Sequence, residues 1–204
     1  ATFMLMGDTC TRCCKFCAVK TGNPMKKLDA DEPKKLVQAL AEIRLFDYVV
    51  LTSVNRDDLE DGGASHFADC VKEIKKAYPE IIVEVLIPDF RGDANSLKNI
   101  IDAKPEVIAH NIETIERLQK KVRDPRANYW QSLAVLENAK KMSPKIYTKS
   151  SIMLGLGEED EEVIKAMKDL RGINVDILTL GQYLRPSERH LSVNSFVEPS
   201  KFEY

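Results

Sequence analysis

ATFMLMGDTCTRCCKFC, residues 1–17, bears most directly on which α/β fold this chain adopts. An apolar run of strand length over residues 2–6 leads straight into a polar loop rich in cysteine. A dinucleotide-binding sheet carries a G-x-G-x-x-G turn after its first strand, and the sequence has no such turn at that position. The junction therefore disfavours a dinucleotide-binding fold.

The rest of the chain alternates short apolar runs, rich in β-branched residues, with longer segments of helical periodicity. The runs cover residues 2–6, 48–54, 81–87, 106–112, 150–156 and 176–180. Strands that each lead into a helix predict a parallel sheet, buried on both faces. An open doubly wound sheet and a barrel both fit this pattern. A barrel places its active site in the loops after its strands, where the cysteine loop lies. We therefore predict one domain over residues 1–204, an α/β fold forming a partial (βα)6 TIM-like barrel with parallel strands.

Three cysteines of the loop have the spacing Cys10-x3-Cys14-x2-Cys17. Three thiolates can bind three irons of a 4Fe–4S cluster and leave the fourth iron open to an exogenous ligand. The register Cys10-x2-Cys13-x3-Cys17 is a less familiar alternative. A structural zinc normally takes four Cys or His ligands, and no histidine lies near the motif in sequence. Disulfides are disfavoured because Cys13 and Cys14 are adjacent and the chain has five cysteines, an odd number.

Composition limits the partners and the compartment. The chain has 30 Lys and Arg against 32 Asp and Glu, a formal charge of −2. It has no excess of basic residues, so we predict neither nucleic acid nor an anionic membrane as a partner. Its apolar runs are too short to span a membrane. Free thiols and a cluster predict a reducing compartment: bacterial or archaeal cytoplasm, mitochondrial matrix or plastid. Because the chain begins with Ala1, we expect a fragment or a processed chain.

Polar residues lie within or just after the apolar runs, where an unpaired charge would cost several kcal/mol on burial. They include Ser53, Asn55, Glu84, Asn111, Glu113, Lys149, Ser151 and Gln182. We predict that they ring one end of the barrel and form a polar ligand site opposite the cysteine loop. Acid, cation and amide groups together suit an amino-acid-like ligand that carries a ribose. For any single residue the alternative is a structural ion pair, for example Glu84 with Lys149. Phe16 would shield the cluster or simply pack beside it.

The cysteine motif, with an aromatic residue before its last cysteine, resembles the signature of radical S-adenosylmethionine (radical SAM) enzymes. Further segments resemble the lipoyl synthases within that superfamily, along nearly the whole chain. They include VLTSV at 50–54, DGGA at 61–64, PDFRGD at 88–93, HNIET at 110–114, VRDPRA at 122–127, SIMLGLG at 151–157 and LTLGQY at 178–183. The single domain would then be a radical SAM core.

The resemblance implies a reaction and its partners. A 4Fe–4S cluster would cleave S-adenosylmethionine reductively to a 5′-deoxyadenosyl radical. That radical would abstract hydrogens from an octanoyl chain on a lipoyl carrier protein, and insertion of two sulfurs would give the lipoyl group. The partners would be the octanoylated carrier and an electron donor of the ferredoxin or flavodoxin type. Alternatives are another sulfur-inserting or methylthio-transferring radical enzyme, and a non-catalytic iron–sulfur or zinc module.

The resemblance also implies roles for individual residues. Cys10, Cys14 and Cys17 would bind the cluster. Among the other matching residues, Ser53 and Lys149 would lie near the methionyl group of S-adenosylmethionine, Asn111 and Glu113 near its ribose, and Glu84 is a further candidate.

The sequence departs from lipoyl synthases in one respect. That family carries an auxiliary 4Fe–4S cluster, held by three further cysteines ahead of the region matched here and by a serine in an Arg-Ser-Ser-Tyr motif near the C-terminus. Neither set of ligands occurs in this sequence. We therefore expect the chain to represent a core with both ends absent.

Overall fold

The structure is a computed structural model that describes residues 1–25, 27–43 and 46–202. Its strands are β1 Thr2–Leu5, β2 Thr9–Cys10, β3 Lys20–Thr21, β4 Tyr48–Ser53, β5 Ile82–Leu86, β6 Val107–Ala109, β7 Tyr147–Leu154 and β8 Ile177–Gln182. Its helices are α1 Glu32–Ile43, α2 Ala64–Ala77, α3 Ala94–Asp102, α4 Gln119–Val122, α5 Tyr129–Met142 and α6 Asp160–Gly172. Short 3-10 turns cover Phe90–Gly92, Glu116–Leu118 and Pro199–Phe202.

Six strands form one sheet in the order β1-β4-β5-β6-β7-β8, and every neighbouring pair is parallel. Strand order that follows chain order is the pattern of a barrel, whereas a doubly wound sheet reverses its order at a switch point. Within the described residues β8 does not pair with β1, so the barrel is partial. The predicted partial (βα)6 barrel is confirmed.

The predicted strands are present with shifted ends. The fourth predicted strand shrinks to β6, so Asn111 and Glu113 follow the strand by a few residues. The fifth begins at Tyr147, which places Lys149 and Ser151 inside β7. Exposure alternates along β7 because one face packs against helices while the other faces the barrel interior. Because the first residues of β7 include polar residues on both faces, they do not form the apolar run from which we predicted the strand.

Two apolar clusters hold the helices against the outer face of the sheet. The first packs α1, α2 and α3 on β4 and β5 through residues such as Leu40, Phe67 and Val83. The second packs α5 and α6 on β7, for example through Leu136 and Ile152. Full burial of one such side chain contributes about 1.5–3 kcal/mol. Polar side chains therefore lie on the opposite face of the sheet and at the carboxyl ends of its strands.

Side-chain caps set the starts of several helices. The Asp93 carboxylate accepts from the Ser96 amide at the start of α3, and Asn128 accepts from the Trp130 amide at the start of α5. Glu159 begins α6 with a capping box, and the first turn of this helix is acidic, which suits the positive end of the helix dipole. Among the described residues no helix is both long enough and apolar enough to cross a membrane.

Candidate functional site

A cavity of about 320 Å3 lies between the cysteine loop and the carboxyl ends of β4, β5 and β6. Cys10, Cys14 and Cys17 all line this cavity. Cys13 is exposed and does not line it. The geometry therefore favours the register with Cys14 over the register with Cys13.

The cavity brings together part of the polar set predicted from the sequence. The predicted residues that line it, besides the three cysteines, are Phe16, Ser53, Asn55, Asn111 and Glu113. Glu84, Lys149, Ser151 and Gln182 do not line it. The structure thus brings five of the predicted polar and aromatic residues to one cavity beside the cysteines, and it places the other four outside that cavity.

Backbone amides surround the sulfur atoms. The Cys10 Sγ accepts hydrogen bonds from the amides of Arg12 and Asn55, each at 3.4 Å. The Cys14 Sγ accepts from the amide of Asp124 at 3.3 Å. Burial raises the pKa of Cys14 to about 11 and also raises the pKa of Cys17, so metal binding must displace the thiol protons. Amide donors of this kind tune the potential of an iron–sulfur cluster.

The spacing of the three sulfurs distinguishes a cluster from a single ion. Sulfur ligands on one tetrahedral zinc, each at 2.3 Å, lie about 3.8 Å apart. The described residues include one set of metal-ligating groups whose ligand atoms all lie within 4.8 Å of one another, and it does not contain these thiols. In a 4Fe–4S cluster each thiolate binds a different iron and the sulfurs lie further apart. The arrangement therefore favours a cluster over a structural zinc.

Arg12 fixes the cysteine loop to the ends of two strands. Its guanidinium, 4% exposed, donates to both carboxylate oxygens of Asp89 at 2.6 and 2.7 Å. It also donates to both oxygens of Asp57 at 3.0 and 2.9 Å. Burial alone would raise the pKa of Asp89, but the hydrogen bonds from Arg12 hold that pKa below its usual value. We did not predict this group, because an arginine in a polar loop normally indicates a solvated charge.

A second set of contacts holds the other side of the loop. The Asp124 carboxylate accepts from the Cys13 amide at 2.8 Å. Arg126 donates to Asp124 at 2.8 Å and to the Thr11 carbonyl at 2.6 Å. The hydrogen bonds from Arg126 hold the pKa of Asp124 well below its usual range. Ionic and backbone contacts thus position the loop from both sides.

Ser53, Asn111 and Glu113 supply polar atoms on the far wall of the cavity. The Ser53 hydroxyl is buried and has no hydrogen-bond partner among the residues that the structure describes. Glu113 is half-buried, and its side chain is hydrogen-bonded to Asn111; desolvation raises the pKa of this carboxyl. An unpaired hydroxyl beside an acid–amide pair fits a polar ligand in this cavity.

Glu84 and Lys149 face the barrel interior below the cavity. Glu84 alternates with Val83 and Val85, which belong to the apolar core on the helix side. The Lys149 Nζ donates to both carboxylate oxygens of Glu84 at 2.9 and 3.0 Å, and the Tyr48 hydroxyl donates to the same carboxylate at 2.5 Å. In this structure the two charges therefore form an ion pair, the alternative that the sequence left open.

Ser151 and Gln182 contact backbone in this structure. The Ser151 carbonyl accepts from the Glu113 amide at 3.1 Å, which ties β7 to the cavity wall. Gln182 donates to the Ser195 carbonyl at 3.2 Å and accepts from the Val197 amide at 2.8 Å. Gln182 thereby holds the segment that follows β8.

Comparison with known sequences gives a consistent result. The model of the Radical SAM superfamily matches residues 4–170. Lipoyl synthases of Thermus thermophilus and Halobacterium salinarum, and the mitochondrial lipoyl synthase of Homo sapiens, are 56%, 60% and 56% identical to this chain. The alignments cover 99–100% of the chain but 62%, 64% and 55% of those proteins. The chain thus spans less than two thirds of the length of these curated relatives.

Comparison with solved structures concerns the fold alone. A methylornithine synthase matches with a TM-score of 0.74 at 18% identity, covering 98% of this chain and 58% of that one. An FeFe-hydrogenase maturase matches with a TM-score of 0.74 at 16% identity, covering 100% of this chain and 45% of that one. The partial parallel barrel is therefore shared with enzymes whose sequences differ widely.

Proposed function

Since the chain belongs to the radical SAM superfamily, whose members use a 4Fe–4S cluster and S-adenosylmethionine, we propose that it is the radical-generating core of a lipoyl synthase. One observation carries the proposal: three thiols of the superfamily motif line a single cavity whose far wall presents an unpaired hydroxyl. Identity of 56–60% to lipoyl synthases over nearly the whole chain supports the choice of that activity within the superfamily.

The residues of the chain would hold the reactants in place. Cys10, Cys14 and Cys17 would bind three irons of the cluster. When bound, the cluster and S-adenosylmethionine supply reductive cleavage to a 5′-deoxyadenosyl radical, which removes hydrogens from a protein-bound octanoyl chain before two sulfurs are inserted. Apolar side chains that line the cavity, among them Phe16 and Leu86, would keep water away from so reactive a species.

We propose that the polar wall of the cavity binds S-adenosylmethionine. The Ser53 hydroxyl would donate to its carboxylate, and Asn111 with Glu113 would bind the ribose hydroxyls, with Asn55 beside the cluster. Lys149 and Glu84 remain proposed contacts as well, and their mutual ion pair would have to open first.

Ser151 and Gln182 are proposed supporting contacts. Each currently bonds to backbone near the strand ends, Ser151 through its carbonyl and Gln182 through its side chain. They would contribute by positioning the segments that flank the cavity.

The whole reaction requires partners that we infer from the relatives. An octanoylated lipoyl carrier would deliver the substrate, and a ferredoxin or flavodoxin would supply electrons. An auxiliary 4Fe–4S cluster would supply the sulfur in the complete enzyme. We further propose a reducing compartment, which fits bacterial, archaeal and mitochondrial relatives alike.

Adjacent cysteines provide the test and its control. After anaerobic reconstitution and reduction with dithionite, the chain should convert S-adenosylmethionine to 5′-deoxyadenosine. Cys14→Ala removes a thiol that lines the cavity and should abolish product. Cys13→Ala removes an exposed thiol from the next residue and should leave product formation close to wild type. Unchanged product in Cys14→Ala, measured by liquid chromatography, would contradict the cluster assignment.

The acceptor distinguishes lipoyl synthase from related radical enzymes. With a carrier that bears a perdeuterated octanoyl chain, the abstracted deuterium should appear in 5′-deoxyadenosine, where mass spectrometry detects it. 5′-Deoxyadenosine formed at an undiminished rate but without deuterium would favour a different sulfur-inserting or methylthio-transferring enzyme.

A further inference from the structure

A second group of metal-ligating side chains lies between α1 and α2, outside the cavity of the cysteine loop. Glu32 begins α1, while His66 and Cys70 lie on α2. One ligand atom from each of these residues lies within 4.8 Å of the other two. His66 and Cys70 are four residues apart and therefore share one face of the helix. The interface of the two helices thus brings a carboxylate, an imidazole and a thiol to one point.

We propose that Glu32, His66 and Cys70 form a zinc site. Zinc takes sulfur, nitrogen and oxygen ligands together, at 2.0–2.3 Å, whereas Mg²⁺ and Ca²⁺ prefer oxygen alone. The three ligand atoms lie within 4.8 Å of one another, so small side-chain shifts would bring all three onto one ion. The His66 Nε2 lies 2.5 Å from Glu32 Oε2, a direct hydrogen bond, and zinc would replace its proton and move the two atoms to about 3.3 Å apart. Three protein ligands leave a fourth position for water.

The surroundings of the three ligands suit a metal. The Met6 amide donates to both carboxylate oxygens of Glu32, at 3.2 Å to Oε1 and 3.1 Å to Oε2, the kind of contact that orients a metal ligand. Cys70 is fully buried, whereas the Glu32 side chain is 23% exposed and leaves a route for the ion. Burial raises the pKa of Cys70 to about 12, so zinc would displace a proton from this thiol.

A metal here would stabilise the entrance to the cysteine loop. Glu32 holds the amide of Met6, which follows β1, and Met6 and Gly7 both have positive φ, 65° and 88°. This turn carries the chain from β1 toward Cys10. Zinc would thus tie α1 and α2 to the turn that precedes the cluster ligands. Without metal, the same residues form a histidine–carboxylate hydrogen bond beside a small buried thiol.

Elemental analysis of the cluster-loaded chain is the first test. After anaerobic reconstitution with zinc and removal of loosely bound ions, we expect about one zinc per chain in addition to the iron. His66→Gln keeps a hydrogen-bonding group toward Glu32 but removes the imidazole ligand. It should lower zinc content at least about fivefold, as should Cys70→Ala, while iron content stays unchanged. Equal zinc in wild type and both variants would overturn the proposal.

Cobalt provides a second test that reports the thiolate directly. Replacing Cys10, Cys13, Cys14 and Cys17 with serine leaves Cys70 as the one remaining thiol of the five. In this background, Co²⁺ should give a thiolate-to-metal charge-transfer band that zinc abolishes and that His66→Gln weakens. If circular dichroism shows the background to be folded and no band forms, the proposal fails. If the background is unfolded, the zinc content of the cluster-loaded variants decides.

Discussion

At the scale of single residues, two buried hydroxyls without hydrogen-bond partners have different surroundings. Ser53 lines the cavity beside the cysteines, whereas Thr114 follows Glu113 and does not line it. A buried hydroxyl that lacks a partner costs about 1–3 kcal/mol, so the chain loses stability at both positions. At Ser53, a hydrogen bond to the proposed ligand would offset that loss of stability.

Ser53→Ala should therefore separate binding from stability. The free energy of unfolding should stay within about 1 kcal/mol of wild type or rise, because no hydrogen bond is lost. Affinity for S-adenosylmethionine should fall about fivefold, corresponding to about 1 kcal/mol. Urea unfolding and isothermal calorimetry on the cluster-loaded chain measure the two effects.

Thr114→Val is the matched control, since it removes the other unpaired hydroxyl and keeps the side-chain shape. It should leave affinity for S-adenosylmethionine unchanged. Equal loss of affinity in both variants would indicate a general disturbance rather than a contact from Ser53.

The sequence predicted a polar site at the carboxyl ends of the strands. The structure places Ser53 and Asn111 on the wall of one cavity there, because the carboxyl ends of parallel strands meet at one edge. Whether Glu84 and Lys149 reach the cavity depends on their height along the barrel axis. That height is determined by the register between neighbouring strands, which the sequence pattern does not give. The role of Arg12 in anchoring the loop was not predicted, because its partners Asp57 and Asp89 are distant from it in sequence.

At the scale of elements, the cysteine loop depends on its anchors. Its strands β2 and β3 have two residues each and form a separate small sheet. So little regular structure stabilises the loop only weakly. The contacts of Arg12 with Asp57 and Asp89 on one side, and those of Asp124 and Arg126 on the other, therefore link the loop to the barrel.

Arg12→Ala should destabilise the chain strongly. The change leaves the Asp89 carboxylate buried without its partner, and breaking a buried pair in this way costs about 3–5 kcal/mol. Lys98→Ala is the control, because the Lys98–Asp102 pair on α3 is 62% and 56% exposed and should contribute at most about 0.5 kcal/mol. Urea unfolding measures both. A loss below about 1 kcal/mol for Arg12→Ala would show that the loop has other, sufficient anchors.

The turn that precedes α2 consists of residues suited to its backbone conformation. Asp61-Gly-Gly63 precedes α2, and Gly62 and Gly63 have φ of 62° and 88°, the region that favours glycine. The Asp61 carboxylate accepts from the amides of Gly63 and Ser65, which closes the turn. Strand lengths were harder to predict, because the ends of β6 and β7 are determined by hydrogen bonds to strands that are distant in sequence.

At the scale of the whole molecule, the alternation of strands and helices predicted a parallel sheet, and the cysteine loop after the first strand favoured the strand order of a barrel over that of a doubly wound sheet. Consecutive parallel strands pair as neighbours, and the cysteine loop identified the edge that carries the site. The six predicted strands also indicated a barrel that is not fully closed, and β8 does not pair with β1 within the described residues. The tilt and register of the strands could not be predicted, since they depend on pairing between distant segments rather than on residue pattern.

The distribution of thiols in the whole chain predicts which half of the reaction it can perform. Of five cysteines, three line the cavity, Cys13 is exposed and Cys70 is buried on α2. Two separated thiols cannot form a second three-cysteine site. The isolated chain, reduced with dithionite beside an octanoylated carrier, should therefore give 5′-deoxyadenosine without a lipoyl product. The longer lipoyl synthase of Thermus thermophilus is the control and should add two sulfurs. Lipoyl formed by this chain alone, detected by mass spectrometry of the carrier, would show that sulfur insertion needs no second set of cysteines.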